Sequence, residues 1–310
     1  MINFRYHVVS LTAVFLALAI GLVVGTAALN GPVADSLKNQ VSALSKDNSN
    51  YRDQANQYRD ELNHTQTFAA ELAPALLTGK LAGRRILLVA LPDSQDYVDQ
   101  VKQMLITAGA IVTAKVTVLD KFFDPANNTE LLDLAETGSQ PSIPPLGLPL
   151  NSDGVQTSSA LLALGLLQRP QGEVAATDLT ALLTAYSKQN YIAVDSGAKT
   201  GADSTVIVAG LPAVDKDAAK KAQFAVTLAR EFARSKPVVV AGNGVGDGNL
   251  VSEIRSDPTL VKTISTVDDG TTTQGQVATA MAVIQRVVQN QVGQYGVSAG
   301  ATSQVPKSAA

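Results

Sequence analysis

Residues 8–29 read VVSLTAVFLALAIGLVVGTAAL, 22 positions without a charged side chain. As an α-helix rising ~1.5 Å per residue, this run extends roughly 33 Å, enough to cross a hydrocarbon core of about 30 Å. The reading is therefore a transmembrane anchor over residues 1–33. Arg5, Tyr6 and His7 lie at one interface, and Gly31-Pro32 interrupt the helix at the other. A cleaved signal peptide is the competing reading, with Gly25-Thr26-Ala27 as its small-residue cleavage site. Signal-peptide apolar cores usually run only ~7–15 residues, which favours the anchor. Ala17, Gly21 and Gly25 recur every fourth residue, a spacing that lets two membrane helices approach closely. Orientation is nearly a tie by charge, with Arg5 before the span and Lys38 and Lys46 after it.

Beyond the anchor the spacing alternates four and three: Leu37, Val41, Leu44, Asn48, Tyr51, Ala55, Tyr58, Leu62, Thr65, Ala69, Leu72. Nine of these eleven positions are apolar or aromatic, and the residues between them are mostly polar or charged, so the pattern is that of a coiled coil. With Leu37 at d, Asn48 falls at a, where a buried amide costs stability but selects one register by pairing with its twin. The spacing predicts a parallel homodimer through a stalk at residues 34–73. The alternative is one amphipathic helix packed on its own domain. Pro74 is expected to end the helix.

After Gly83 the period changes. Residues 85–90 (RILLVA) form a short continuous apolar run, followed by the turn LPDS, a helical stretch to Gly109 and a second strand at 111–118. Strand candidates follow at 191–194, 204–209, 237–241 and 263–267, with helices at 216–234 and 274–294. Continuous rather than alternating apolar strands, each followed by a helix, predict an α/β domain at 84–295 with a mainly parallel sheet covered on both faces. Residues 136–157 (ETGSQPSIPPLGLPLNSDGVQT) read as a Pro-rich linker, and residues 296–310 as a disordered tail.

Composition excludes more chemistry than it suggests. Lys+Arg 24 against Asp+Glu 27 leave a net charge of −3, without the basic footprint that nucleic acid requires. The absence of Cys removes disulfides, thiolate metal cages and cysteine nucleophiles. Of the two histidines, His7 sits at the membrane edge and His64 at a solvent-facing c position of the coil, so no Ser-His-Asp triad is expected in the domain. The run Gly242-Asn243-Gly244-Val245-Gly246-Asp247-Gly248-Asn249 follows a strand. Gly242, Gly244, Gly246 and Asp247 make it a possible ligand loop, since backbone amides there could cradle an anion; a flexible turn is the alternative. The dinucleotide fingerprint fails, because its third glycine falls on Asp247 or Asn249. Asp268-Asp269 and Asp215/Asp217 read as N-caps or solvated charges before acid–base or cation sites, and Lys220-Lys221 as a solvated face. No cofactor, no metal site and no catalytic group emerge, so the chain reads as a non-enzyme.

The opening MINFRYHVVSLTAVFLALAIGLVVG, the coil after it and the RRILLVALP strand resemble the actinobacterial copper-transport protein B family. The resemblance implies an envelope-associated protein with a role in copper transport or homeostasis. It places the amino terminus inside and the bulk of the chain outside the cytoplasm, as a single-pass cell-membrane protein. Cu(I) favours thiolate and thioether ligands, yet the chain holds only Met1, Met104 and Met281 and no Cys. A porin-type barrel needs at least ~8 strands of about ten alternating residues, unlike the short continuous strands here, so a pore would have to arise by assembly. The alternative function is a dimeric scaffold that binds an envelope or cell-division partner and regulates cell-wall hydrolysis.

Overall fold

The computed structural model describes residues 4–29, 31–145, 147–170 and 172–307. The chain divides into two compact units, Met1–His64 and Thr65–Ala310. In the first, α1 (Phe4–Leu29) carries the apolar run, and α2 (Pro32–Leu77) begins with proline at its first helical position, where a missing N–H costs nothing. Thr12 and Thr26 do not break α1, because their hydroxyls donate to the carbonyls of Val8 at 2.5 Å and Leu22 at 2.9 Å. This back-bonding keeps each polar group satisfied on a helix that has no water to turn to.

The expected stop at Pro74 is corrected: α2 continues to Leu77. Proline disturbs only the carbonyl one turn before it, and the Pro74 carbonyl itself accepts from the Thr78 amide at 3.0 Å. Ala73, Leu77 and Leu81 are buried in the core of the second unit, so packing holds the last turn helical. Leu72, the last seam position, stays outside that core at 40% exposure.

The second unit is built on one open sheet of seven strands: β1 (Arg85–Ala90), β2 (Ile111–Val118), β3 (Ile192–Val194), β4 (Ser204–Val208), β5 (Val238–Ala241), β6 (Ile264–Val267) and β7 (Gln294–Tyr295). Their order is β3-β2-β1-β4-β5-β6-β7. All neighbours pair in parallel except β2 with β3, whose register sets Val116 opposite Val194 in antiparallel fashion. Strands such as STVIV and VVVA are buried at every residue, as a sheet covered on both faces requires.

Two clusters of buried side chains provide that cover. On one face pack α3 (Gln95–Thr107), α10 (Thr273–Val288) and the end of α2. On the other pack α4 (Asp120–Phe123), α5 (Asn128–Thr137), α6 (Gly154–Leu166), α7 (Ala176–Lys188), α8 (Ala218–Ser235) and α9 (Leu250–Ser256). The chain winds outward from β1 through β2 to β3, then returns to place β4 against the other side of β1. The strand order therefore reverses between β1 and β4, the switch point of a doubly wound sheet.

Three sequence expectations change. The linker at 136–157 shrinks to residues 138–153, since Gly154 already starts α6. It is pinned as well: Gln140 and Ile143 bridge, Ile143 is fully buried, and Ser142 donates both N–H and hydroxyl to Asp178 at 2.7 and 2.6 Å. These bonds hold the Asp178 carboxyl below its usual range. The closing helix ends at Val288 rather than at 294, with Asn290 turning the chain through a left-handed conformation (φ 54°).

The tail at 296–307 is ordered rather than loose. Gly296 donates to the Ser303 carbonyl at 3.0 Å, Thr302 to the Gln294 carbonyl at 2.7 Å, and Tyr295 bridges Ser303. Backbone pairing at the sheet edge, not an apolar period, holds this segment.

Candidate functional site

Along α1, a Cβ built at Gly21 or Gly25 meets nothing within 4 Å, so the small-residue stripe begun by Ala17 is open. Along α2, the seam residues Leu37, Val41, Leu44, Tyr51 and Tyr58 are each 60–70% exposed. Asn48 and Ala55 are exposed with them, and Leu62 is half exposed. Among the described residues of the first unit, nothing covers this apolar stripe.

The glycine run after β5 is closed on itself. The Gly242 amide donates to the Val267 carbonyl at 2.8 Å, Gly244 to the Asp268 carbonyl at 2.5 Å, and Gly246 to Ser252 Oγ at 2.9 Å. Asn249 completes the turn, donating from Nδ2 to the Asn243 carbonyl and accepting the Val251 amide as the N-cap of α9. Gly244 and Gly246 have φ of 72° and 146°, which explains the glycines by backbone conformation. The Gly242, Gly244 and Gly246 amides are thus committed to internal acceptors, and Asp247 is exposed.

The paired carboxylates part company. Asp215 pairs with Lys221 and accepts the Asp217 amide at 2.9 Å; the ion pair holds the Asp215 carboxyl low and the Lys221 ammonium high. Lys220 lies over the Phe224 ring at 4.7 Å.

Asp268 was expected at the surface and is instead buried, with Arg255 NH1 at 2.8 Å from its Oδ2. Its Oδ1 accepts the Val297 amide at 2.9 Å and the Ser298 amide at 3.2 Å. Arg255 also donates to Thr266 Oγ1, the Tyr295 carbonyl and the Ala299 carbonyl. A Cβ at Gly296 would stand 2.3 Å from Asp268 Oδ1, so only glycine lets the chain pass there. Asp269 next to it has its carboxyl pushed up by burial and by the Asp268 charge. This network fastens the last strand and the segment after it to the sheet.

A concavity lies at the switch point, outside the carboxyl ends of β1 and β4, where α/β sheets bind ligands. Its walls include Leu91, Phe123, Leu211, Pro212, Ala222 and Leu250. Sequence reading missed it because no local pattern tells which strands become neighbours. Its volume is about 80 Å³, well short of the ~300 Å³ at which small-molecule sites begin. Among the described residues, no group of three or more His, Asp or Glu side chains is placed to hold a metal ion.

The fold is that of a membrane-associated α/β protein, a parallel-sheet domain preceded, among the described residues, by one helix long and apolar enough to cross a bilayer. The chain belongs to the family described as copper transport outer membrane protein, MctB, which it matches over residues 1–306. It is 29% identical over 317 residues to the copper transporter MctB of Mycobacterium tuberculosis and to that of Mycobacterium bovis, covering 98% of each chain. The copper transporter MctB of Mycobacterium leprae is 28% identical over 323 residues, again at 98% of both chains.

Proposed function

We propose that the protein serves copper transport or homeostasis across the cell envelope, as a non-enzymatic, single-pass membrane protein with its α/β domain outside the cytoplasm. The observation that carries this reading is the end-to-end match to proteins named as copper transporters, 98% of each chain. The chain offers few copper ligands of its own, with three Met, two His and no Cys. Passage of the ion is therefore assigned to an assembly, not to a site within one copy.

The assembly begins as a parallel homodimer through Leu37, Val41, Leu44, Asn48, Tyr51, Ala55, Tyr58, Leu62 and Leu72, with Ala17, Gly21 and Gly25 as the contact within the bilayer. The exposed apolar stripe on α2 supports this arrangement, because pairing removes it from water and gives Asn48 its twin.

Two experiments test the proposal. Deleting the gene should raise cell-associated copper and lower copper tolerance, and restoring the chain should reverse both; unchanged copper and tolerance would reject the transport role. Sedimentation of the detergent-solubilised full chain should give a dimer, and the Leu44→Asp/Tyr51→Asp variant a monomer with an unaltered far-ultraviolet spectrum. A wild-type monomer would reject the seam.

A further inference from the structure

The strand-order reversal sets the loop after β1, residues 91–94, beside the loop after β4, residues 209–217. In doubly wound folds that crevice holds a ligand. Here its floor is sealed by backbone. A Cβ at Gly210 would stand 2.0 Å from the Pro92 carbonyl oxygen, the Leu91 amide donates to the Val208 carbonyl at 2.8 Å, and the Tyr97 hydroxyl donates to the Ala209 carbonyl. What remains is the shallow cavity of about 80 Å³, with room for one aliphatic side chain and not for a nucleotide or a sugar.

Two features of its mouth point to another protein. Leu211 is 61% exposed and Val214 is 98% exposed, so the loop after β4 holds apolar side chains in water beside an apolar cavity. The charge around the opening is also one-sided. Among the described residues lining the cavity Lys221 is the one cation; Asp93 and Asp120 line it too, Asp215 pairs with Lys221, Asp124 lies within electrostatic range of that same lysine, and Lys216 lies within range of Asp215 and pairs with Asp217. Two ammonium groups against five carboxylates leave an acidic mouth, and such an opening favours a cationic partner over an anionic one.

We propose that this crevice is a docking site for a basic segment of a partner protein, in which an aliphatic side chain flanked by Lys or Arg fills the cavity. The aliphatic anchor supplies the buried contact, and the flanking cations meet Asp93 and Asp120 at the rim. The proposal is independent of copper handling, since it uses no metal ligand and no residue of the stalk.

Fluorescence anisotropy of the full chain in detergent, with the labelled peptide KKKKLKKKK as probe, tests it directly. The expected result is saturable binding that weakens steeply between 50 and 300 mM salt. Binding should fall tenfold or more for KKKKSKKKK, which lacks the anchor, and should vanish for EEEELEEEE. Ala222→Leu fills the cavity and should abolish the difference between the leucine and serine peptides. Leu211→Ser, at an exposed position, should weaken the leucine peptide severalfold without affecting folding. Asp93→Asn/Asp120→Asn should flatten the salt dependence.

The idea fails if the leucine and serine peptides bind equally to the native chain, or if Leu211→Ser and the double aspartate variant both bind as the native chain does. It also fails if the acidic peptide binds as well as the basic one. Should Ala222→Leu melt early, Leu211→Ser and the aspartate variant still decide the matter.

Discussion

Removing one member of the Arg255–Asp268 pair should destabilise the α/β domain far more than removing both. In the native protein the Asp268 side chain is 0% exposed and that of Arg255 7%, with 2.8 Å between them. Arg255→Met leaves a buried carboxylate whose Oδ1 keeps two backbone donors but whose Oδ2 loses its counter-charge. Asp268→Leu leaves a buried guanidinium. Either orphaned charge costs about 3–5 kcal/mol, a large share of the ~5–15 kcal/mol that holds a domain together. At roughly 2–4 °C per kcal/mol for a domain of this size, the single variants should melt on the order of 6–20 °C early. The double variant Arg255→Met/Asp268→Leu carries no orphaned charge and should recover a substantial part of that loss.

Thermal melts of the four proteins complete a double-mutant cycle. Hydrogen exchange adds a local readout, since the Val297 and Ser298 amides that donate to Asp268 should lose protection in Asp268→Leu before the central strands do. Single variants within about 1 kcal/mol of the native chain, or a cycle with no coupling, would refute a buried network and return Asp268 to the surface role that its neighbours in sequence suggest.

Three further perturbations follow from the same part of the molecule and from the switch point. Asp269 has its carboxyl raised in the folded state, so folding holds its proton and stability falls as pH rises above the unfolded carboxylate value of about 3.9. Asp269→Asn should therefore melt higher than the native chain at pH 7 and no higher near pH 3.5; a variant that melts lower at pH 7 contradicts the burial argument. Gly210→Ala places a methyl against the Pro92 carbonyl oxygen and should cost ~1–3 kcal/mol in chemical denaturation, while Gly244→Ala, with nothing within 4 Å, should suffer only from its left-handed backbone.

How much of this was legible in the primary structure follows from how far apart the cooperating residues lie. The uncharged run of α1, the four–three alternation of α2 and the apolar strands β1, β2, β4, β5 and β6 are all local periodicities, each written within one contiguous segment and readable without knowing the fold. Helix α6 was missed because nearly every side of it is covered. Its sequence GVQTSSALLALGL carries small and apolar residues around the whole circumference and shows no amphipathic stripe. The ordered tail was missed because its own backbone groups make its bonds, to the sheet edge and to the distant Asp268 and Arg255 side chains, and these leave no mark on its composition.

The periodic patterns specified a membrane-spanning helix, a helix with an apolar seam, and strands destined for a two-faced parallel sheet, since each pattern needs only the chain's own geometry. Long-range packing alone set β4 beside β1, brought Arg255 to Asp268, tied the Gly242 and Gly244 amides to the end of β6 and the residue after it, and shaped the crevice between Pro92 and Gly210. Those outcomes depend on which distant segments become neighbours, and that choice is made by the balance of buried area and satisfied polar groups over the whole domain.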